Sequence, residues 1–546
     1  MKNIAKTICA ALLTLTGFGL TSCDSFLQEY SQDLAKVNSW EDLDEVLLGA
    51  AYLHTGRFYD SGNSYEITDR DSHFDILHFM SDELYITDDT HMLQEYYEDM
   101  FPFFTWQQDT GVDNQLKYVG NDESYFNAPY SRINVCNMVI SLIDEQPAPN
   151  PEDEIEKRRV KGEAYFLRAL YYFFLTNLYA EPYDPATASS TKGMPLKFSE
   201  IIEDKEFERS TLAETYQKVI EDLKEAEQLL EGTTRKSIYR ADRNTVRLLL
   251  SRVYLYMQDW DNAIAKAREV LAEKDALLNI GSKAIGDDCL DGSSPEVLFS
   301  MGDYLIAFYF RDDRYNSASL QISNDLLALY DKDDYRTDRY IGTTKNRGTN
   351  IFRKINGQYD AVGKYTTVGS VFTFRTPEAY LTLAEASAYK GDEATSRTYL
   401  EKFLSTRKSG SVSVEESGEN LIDLIRNERA REFLLEGHRW FDLRRYTVNT
   451  VYPWSKEIIH GYPYIASYDY DHTDWYRLEK NDQAYTLPLP RAIRNFQVSL
   501  GNANRPSRKA FDVTQVHGPD YSNLGDGDDD DDWDDDDDWD DDDWDW

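Results

Sequence analysis

Arg426–Tyr446 reads RNERAREFLLEGHRWFDLRRY and sets six arginines and four carboxylates in a helical rhythm. With its lead-in LIDLI, steps of three and four pick out Ile422, Ile425, Arg429, Phe433, Glu436, Trp440 and Leu443. An apolar stripe that contains an arginine and a glutamate predicts a helical face buried together with its charges. Glu432 lies three residues from Arg429, and Arg439 three from Glu436; at that spacing side chains on a helix are neighbours. Gly437 costs roughly 1 kcal/mol inside a helix, so it is expected to break the helix or admit a close neighbour. A helix that reads nucleic acid would not interleave so many acids with its arginines. A catalytic cluster would need a nucleophile, metal or cofactor that the surrounding sequence does not indicate. The pattern predicts a partly buried ion network, a brace that holds two helices in one register.

Around this stretch lie 546 residues, 41% hydrophobic and 14% aromatic, a folded body of two or three domain-sized units. The net charge is −41, of which the tail Asp526–Trp546 supplies 16 aspartates, while Lys2 and Lys6 charge the first 22 residues. A strongly acidic body remains, which repels phosphate backbones and excludes nucleic acid as a partner. The 39 tyrosines offer flat apolar rings with polar tips, suited to wet interfaces and carbohydrate surfaces.

Lys2 and Lys6 precede the apolar run Ile8–Leu20, too short for a comfortable membrane span. The run ends in Leu20-Thr21-Ser22-Cys23 and resembles a bacterial lipobox, which implies cleavage before Cys23 and acylation there. Two acyl chains hold a protein on a bilayer at about 0.8 kcal/mol per buried CH₂. Cys136 and Cys289 remain, as a disulfide or as two buried thiols. No Cys/His cluster suggests zinc.

The body reads mainly as helix. Lys161–Tyr179 is apolar almost all round and predicts a buried helix, while Thr211–Leu230 is amphipathic, with Thr211 and Glu214 at capping-box positions. Asn244–Leu271 shows two helices about a turn near Gln258-Asp259, with Trp260, Ala263 and Ala267 on the second. Pro377–Arg407 repeats the grammar around Gly391-Asp392, with Ala384, Ala386 and Ala394 as the small residues. Both follow the logic of tetratricopeptide helix pairs. Tyr59–Thr110, Cys289–Tyr365 and Val451–Leu487 lack periodicity and are dense in Asp, Gly, Asn and aromatics. Long stretches of that kind predict functional surface, although any single ring can equally be core.

ERAREFLLEGHRWFDLRR resembles the signature of the SusD/RagB family, outer-membrane lipoproteins of Bacteroidetes that capture nutrients. The matching positions are Glu428, Arg429, Glu432, Phe433, Glu436, Gly437, Arg439, Asp442, Leu443 and Arg445. Further family marks follow in order: SDEL at Ser81–Leu84, YSRINVCNMVI at Tyr130–Ile140, GEAYFLRALYYF at Gly162–Phe173, SNDLLALYDKDDYRTDR at Ser323–Arg339, RTPEAYLTLAEA at Arg375–Ala386 and LPLPRAIRNF at Leu487–Phe496. One departure is Phe126, where the family often has tryptophan, so that an indole donor is lost.

The resemblance implies a mainly α fold of about four tetratricopeptide-like pairs, with irregular loops and short strands packed on them. It divides the chain into a signal peptide (1–22), an N-terminal region with helical repeats (23–288) and a C-terminal region carrying further repeats and the signature (289–525); the acidic tail (526–546) departs from the family and reads as disordered, because like charges repel and apolar residues are sparse. The resemblance further implies a non-catalytic nutrient binder, lipid-anchored at Cys23 and facing the cell exterior, partnered by a SusC-like TonB-dependent transporter. The nutrient is an oligosaccharide, with a peptide ligand as the alternative and a surface glycosidase as the more distant one. Ligand contacts are expected from the stretches after SDEL and after the second helix pair. The candidates are Trp106 first, then Tyr97, Tyr304, Tyr309 and Tyr315, with Gln107, Arg314 and Asn316 as polar partners. No cofactor is implied. Carboxylates suit Ca²⁺, in the tail or in the acidic loops Asp287–Asp291 and Asp331–Asp338. The tail could also dock on a basic surface, with Trp533, Trp539, Trp544 and Trp546 as anchors.

Overall fold

The computed structural model describes residues 37–511, apart from 54–57, 61–64, 68–73, 87–98, 202, 204, 288, 302–319, 344–349, 356–367, 370 and 467–468. Among the described residues helices dominate. The long ones are α1 (Trp40–Ala50), α2 (Ser124–Leu142), α3 (Pro151–Tyr179), α4 (Leu212–Leu229), α5 (Arg243–Tyr256), α6 (Trp260–Glu273), α7 (Thr376–Tyr389), α8 (Glu393–Leu404), α9 (Gly418–Glu432) and α10 (Arg439–Thr447).

Local chemistry sets their ends. Asn150 caps α3 through the Asp153 amide, with Pro151 at its start and three acids in its first turn, where the helix dipole favours negative charge. At its other end the Arg444 guanidinium donates to the Asn177 and Ala180 carbonyls. The predicted Thr211–Glu214 capping box forms at α4. The α5–α6 turn falls where the sequence placed it, with Gln258 at φ 63° and Asp259 as the cap of α6. Gly391, at φ 80°, closes the α7–α8 turn.

The helices stack in succession: α2 on α3, α3 on α4, α4 on α5, α5 on α6, α6 on α7 and α7 on α8. Ala263 and Ala267 are buried where α5 and α6 meet, and Trp260 stacks on Tyr389 at 4.7 Å, joining one pair to the next. Ala384 and Ala386 are buried as expected, but Ala394 faces solvent. Ser396, two positions on, is the small buried residue of α8.

Strands occur in antiparallel pairs. β1 (Phe58–Asp60) pairs with β2 (Tyr65–Ile67), β3 (Leu84–Ile86) with β5 (Leu320–Ile322), and β4 (Val297–Ser300) with β8 (Thr373–Arg375). β6 (Ile341–Thr343) pairs with β7 (Asn350–Phe352), and β9 (Ile458–Ala466) with β10 (Asp469–Leu478). The main hydrophobic core draws on residues from Leu43 to Leu500. Among the described residues no helix is long and apolar enough to cross a membrane.

Candidate functional site: the signature and the strand ends it holds

The signature forms two helices, not one. α9 ends at Glu432 and α10 begins at Arg439; between them Leu435 (φ 54°) and Gly437 (φ 75°) adopt left-handed backbone. A Cβ on Gly437 would sit 3.1 Å from Leu77 Cδ1 and 3.3 Å from Val371 Cγ1, so this glycine both breaks the helix and admits a close neighbour. Every member of the predicted stripe is buried.

The pairing differs from the expected one. Arg429 does not bond Glu432, nor Arg439 Glu436. Because the helix stops, each charge meets a partner from a distant segment. Glu432 receives Arg407 Nε and Nη2 at 2.9 Å and Arg375 Nη1 at 2.9 Å. Glu436 receives Arg375 Nε at 2.9 Å and the Lys354 ammonium. Glu428 receives Arg336 Nη2 at 2.7 Å and Arg431. Glu296 completes the cluster through Arg375 at 2.7 Å, as does Asp334 through Arg336 at 2.7 Å. Five cations thus face five carboxylates in the interior. Burial alone would raise the Glu428 pKa; Arg336 and Arg431 instead hold it at about 2. Burial draws the Lys354 ammonium down to about 8 despite Glu436.

Two smaller sets complete the brace. Asp442 binds Arg429 and Arg445, each at 2.8 Å, and Arg445 reaches Glu385 of α7 at 2.6 Å. Arg439 grips both oxygens of Asp82 at 2.7 and 2.8 Å, and Lys456 adds a third bond at 2.8 Å. Although burial works against it, these cations hold the Asp82 carboxyl well below the usual carboxylate range. Beside Asp82, Glu83 accepts the Leu435 amide at 2.7 Å.

The motifs scattered along the chain therefore meet here: Asp82 from SDEL, Arg336 from DDYRTDR, Arg375 and Glu385 from RTPEAYLTLAEA. A further pair links Arg168 to Asn137 at 2.8 Å and to both oxygens of Asp222 at 2.7 Å. The sequence marked these stretches as motifs but did not say that their charges are one another's partners. Lys354 and Glu296 carried no signal at all.

The third set positions β3. Its last residue, Ile86, pairs with Leu320, the first residue of β5. Segments 87–98 and 302–319 are therefore tied to the same end of one strand pair, and β7, which follows 344–349, packs on β5. Tyr97, Tyr304, Tyr309, Arg314, Tyr315 and Asn316 belong to these segments and lie outside the described residues, as do Cys23 and the tail.

Trp106 is a correction. It is fully buried, its Nε1 donates to the Met80 carbonyl at 3.0 Å, and its ring stacks on His460 at 4.4 Å. Phe104 covers the other side of that imidazole at 4.0 Å, and burial pushes His460 down to about 4. A fully buried indole with one face on this imidazole cannot offer a face to a ligand. Gln107 is buried too, donating to Thr105 Oγ1 at 3.0 Å. The segment is as aromatic as a platform, but β9 covers it, which the local sequence could not show. Phe126 keeps a packing role, against Tyr130 and Tyr179. Cys136 and Cys289 are both free and buried.

The acidic loop Asp331–Asp338 is occupied by cations: Asp331 holds Lys408 at 2.6 Å, Asp334 holds Arg336 and Asp338 holds Arg339 at 2.5 Å. Among the described residues no group of three side chains is set to hold a metal ion.

A helical-repeat scaffold that clamps strand ends through buried ion networks defines the class. Residues 28–255 match a SusD-like family model described as starch-binding associating with outer membrane, and residues 306–500 match that of the SusD family. The chain belongs to the SusD/RagB family. A SusD-like carbohydrate binding protein from Bacteroides vulgatus is 19% identical, with a TM-score of 0.64 over 85% of this chain and 98% of its own. A SusD superfamily protein from Bacteroides thetaiotaomicron is 21% identical, with a TM-score of 0.63 over 86% and 100%. A third, from Bacteroides fragilis, is 21% identical, with a TM-score of 0.62 over 85% and 99%. At such identities the likeness bears on the fold. No curated protein matches the chain.

Proposed function

We propose that this protein is an outer-membrane lipoprotein, anchored through Cys23, that captures an oligosaccharide at the cell surface and delivers it to a SusC-like TonB-dependent transporter without chemically altering it. The observation that carries the reading is the register of β3 with β5. It ties two tyrosine-rich segments to one strand end, and the Asp82–Arg439–Lys456 set fastens the other end of the same strand pair to the helical body. Sugars present apolar C–H faces rimmed by hydroxyls, so a site that binds them combines aromatic rings with amide, carboxylate and guanidinium groups. Tyr97, Tyr304, Tyr309 and Tyr315 would supply the rings, and Arg314 and Asn316 the polar contacts. Trp106 and Gln107 have no part in it.

The test is calorimetric titration of the mature chain with oligosaccharides of defined linkage, and with peptides. Micromolar-to-millimolar binding of one glycan class, weakened tenfold or more by Tyr97→Ala or Tyr304→Ala and with no new product by chromatography, supports capture. Binding of peptides alone moves the reading to a peptide scavenger, and released product to a glycosidase. Cys23→Ala should move the protein out of the membrane fraction; retention there would overturn the anchor.

A further inference from the structure

The stretch Arg477–Phe511 runs against the charge of the rest of the molecule. It carries seven lysines and arginines and two carboxylates, Glu479 and Asp482, within a chain of net charge −41. The fold gathers its second half onto the end of β10. Arg508 donates to the Arg477 carbonyl at 2.6 Å and to Asp482 at 2.8 Å, and the Phe511 amide donates to the Trp475 carbonyl at 2.9 Å. Lys480, in the Glu479–Asp482 turn, and Lys509 are exposed beside this junction.

Beneath them lies Arg505. It is 2% exposed, and Nε and both Nη atoms have no hydrogen-bond partner among the described residues. Its carbonyl is fixed by Gln108 Nε2 at 2.9 Å. Asp482 is the nearby acid, and its oxygens already serve Arg508 and the Glu479 and Ala484 amides. Glu457 stands 3.4 Å from Arg477 and offsets that one charge. A buried guanidinium with no counter-charge of its own sends its field to the nearest surface, since low dielectric screens it poorly. The surface beside Lys480 and Lys509 is therefore more positive than its side chains alone would make it.

We propose that this basic junction is the docking surface for the chain's own aspartate-rich segment, 526–546. That segment starts 15 residues after Phe511, and at about 3.3–3.6 Å per extended residue the connection spans up to roughly 50 Å, ample for a return to Lys480. Its 16 aspartates are repelled by the acidic body, so the junction at its own root is where they gain most. Its four tryptophans can lie against the Lys480 and Lys509 cations. Contacts of this kind are electrostatic and short-ranged, with a screening length of about 8 Å at physiological salt and about 3 Å at 1 M. The inference stands independently of which nutrient the protein binds.

Zero-length carbodiimide coupling joins carboxylates to lysines in contact, and on the full chain mass spectrometry maps the products. The expected result is coupling of segment 526–546 to Lys480 and Lys509, at least tenfold above its coupling to the exposed Lys236 or Lys402, and falling several-fold in 1 M salt. Lys509 is near the tail in sequence, so Lys480→Glu supplies the control. It should lower the Lys509 yield several-fold, because the junction loses positive potential. An even spread over all lysines, coupling to Lys509 alone that Lys480→Glu leaves unchanged, or no coupling at all would overturn the proposal.

Discussion

Arg375, in the signature cluster, and Arg505, beside the β10 junction, are both buried guanidinium groups, yet they stand in opposite situations. Arg375 meets Glu296, Glu432 and Glu436 in five hydrogen bonds, while the Arg505 side chain makes none among the described residues. The first region is a closed electrostatic account that ties β8, α9 and the turn into α10 to one geometry. The second leaves a positive charge whose field reaches the surface. Burial of charge is thus not one phenomenon: paired, it specifies register; unpaired, it shapes what the surface attracts.

The largest effect that could break this contrast is removal of a paired member. Arg375→Met leaves Glu432 and Glu436 short of a cation and should cost about 3–5 kcal/mol of stability in urea unfolding. A loss under about 1 kcal/mol would mean that the cluster relaxes freely and fixes no register. Next comes Gly437→Ala, which must hold φ near 75° and meet Leu77 and Val371. It should cost about 1–2 kcal/mol for the left-handed backbone, plus whatever the contacts add.

Acid titration sharpens the comparison further. The pKa of Glu428 is about 2 in the fold against 4.5 for an ordinary glutamate, so the unfolded chain binds the proton more readily between those values. Its stabilising contribution is complete above pH 4.5 and is lost as the pH falls toward 2. Glu428→Gln should flatten the stability curve in that window, whatever it costs at neutral pH; an unchanged slope would refute the pairing. The smallest effect is expected of Arg505→Met. Burial, with Arg508 adding to it, draws the Arg505 pKa down to about 9, the mark of a charge the fold does not compensate. Its replacement should leave stability within about 1 kcal/mol or raise it, because no ion pair is broken. A loss comparable to that of Arg375→Met would show that Arg505 has a counter-charge after all.

Much of this was legible in the sequence. The helix pairs about Gln258-Asp259 and Gly391-Asp392, the capping box at Thr211, the buried stripe and the role of Gly437 follow from periodicity and backbone preference, which act over a few residues. The partners of the stripe's charges did not follow. Spacing along a helix offered Glu432 to Arg429, but the helix ends at Glu432, and Arg407 and Arg375 arrive from elsewhere. Trp106 and Ala394 were misplaced for a related reason: a local pattern shows that a residue is aromatic or small, not what covers it.

By itself, then, the sequence determined the helical grammar, the brace and the family, because each is written in residues close together along the chain. Which arginine meets which carboxylate, that the expected ligand tryptophan is buried against His460, and that β3 and β5 bring two tyrosine-rich segments to one end were decided only by the tertiary structure. Contacts between residues hundreds of positions apart depend on how whole elements pack, and no local preference encodes them.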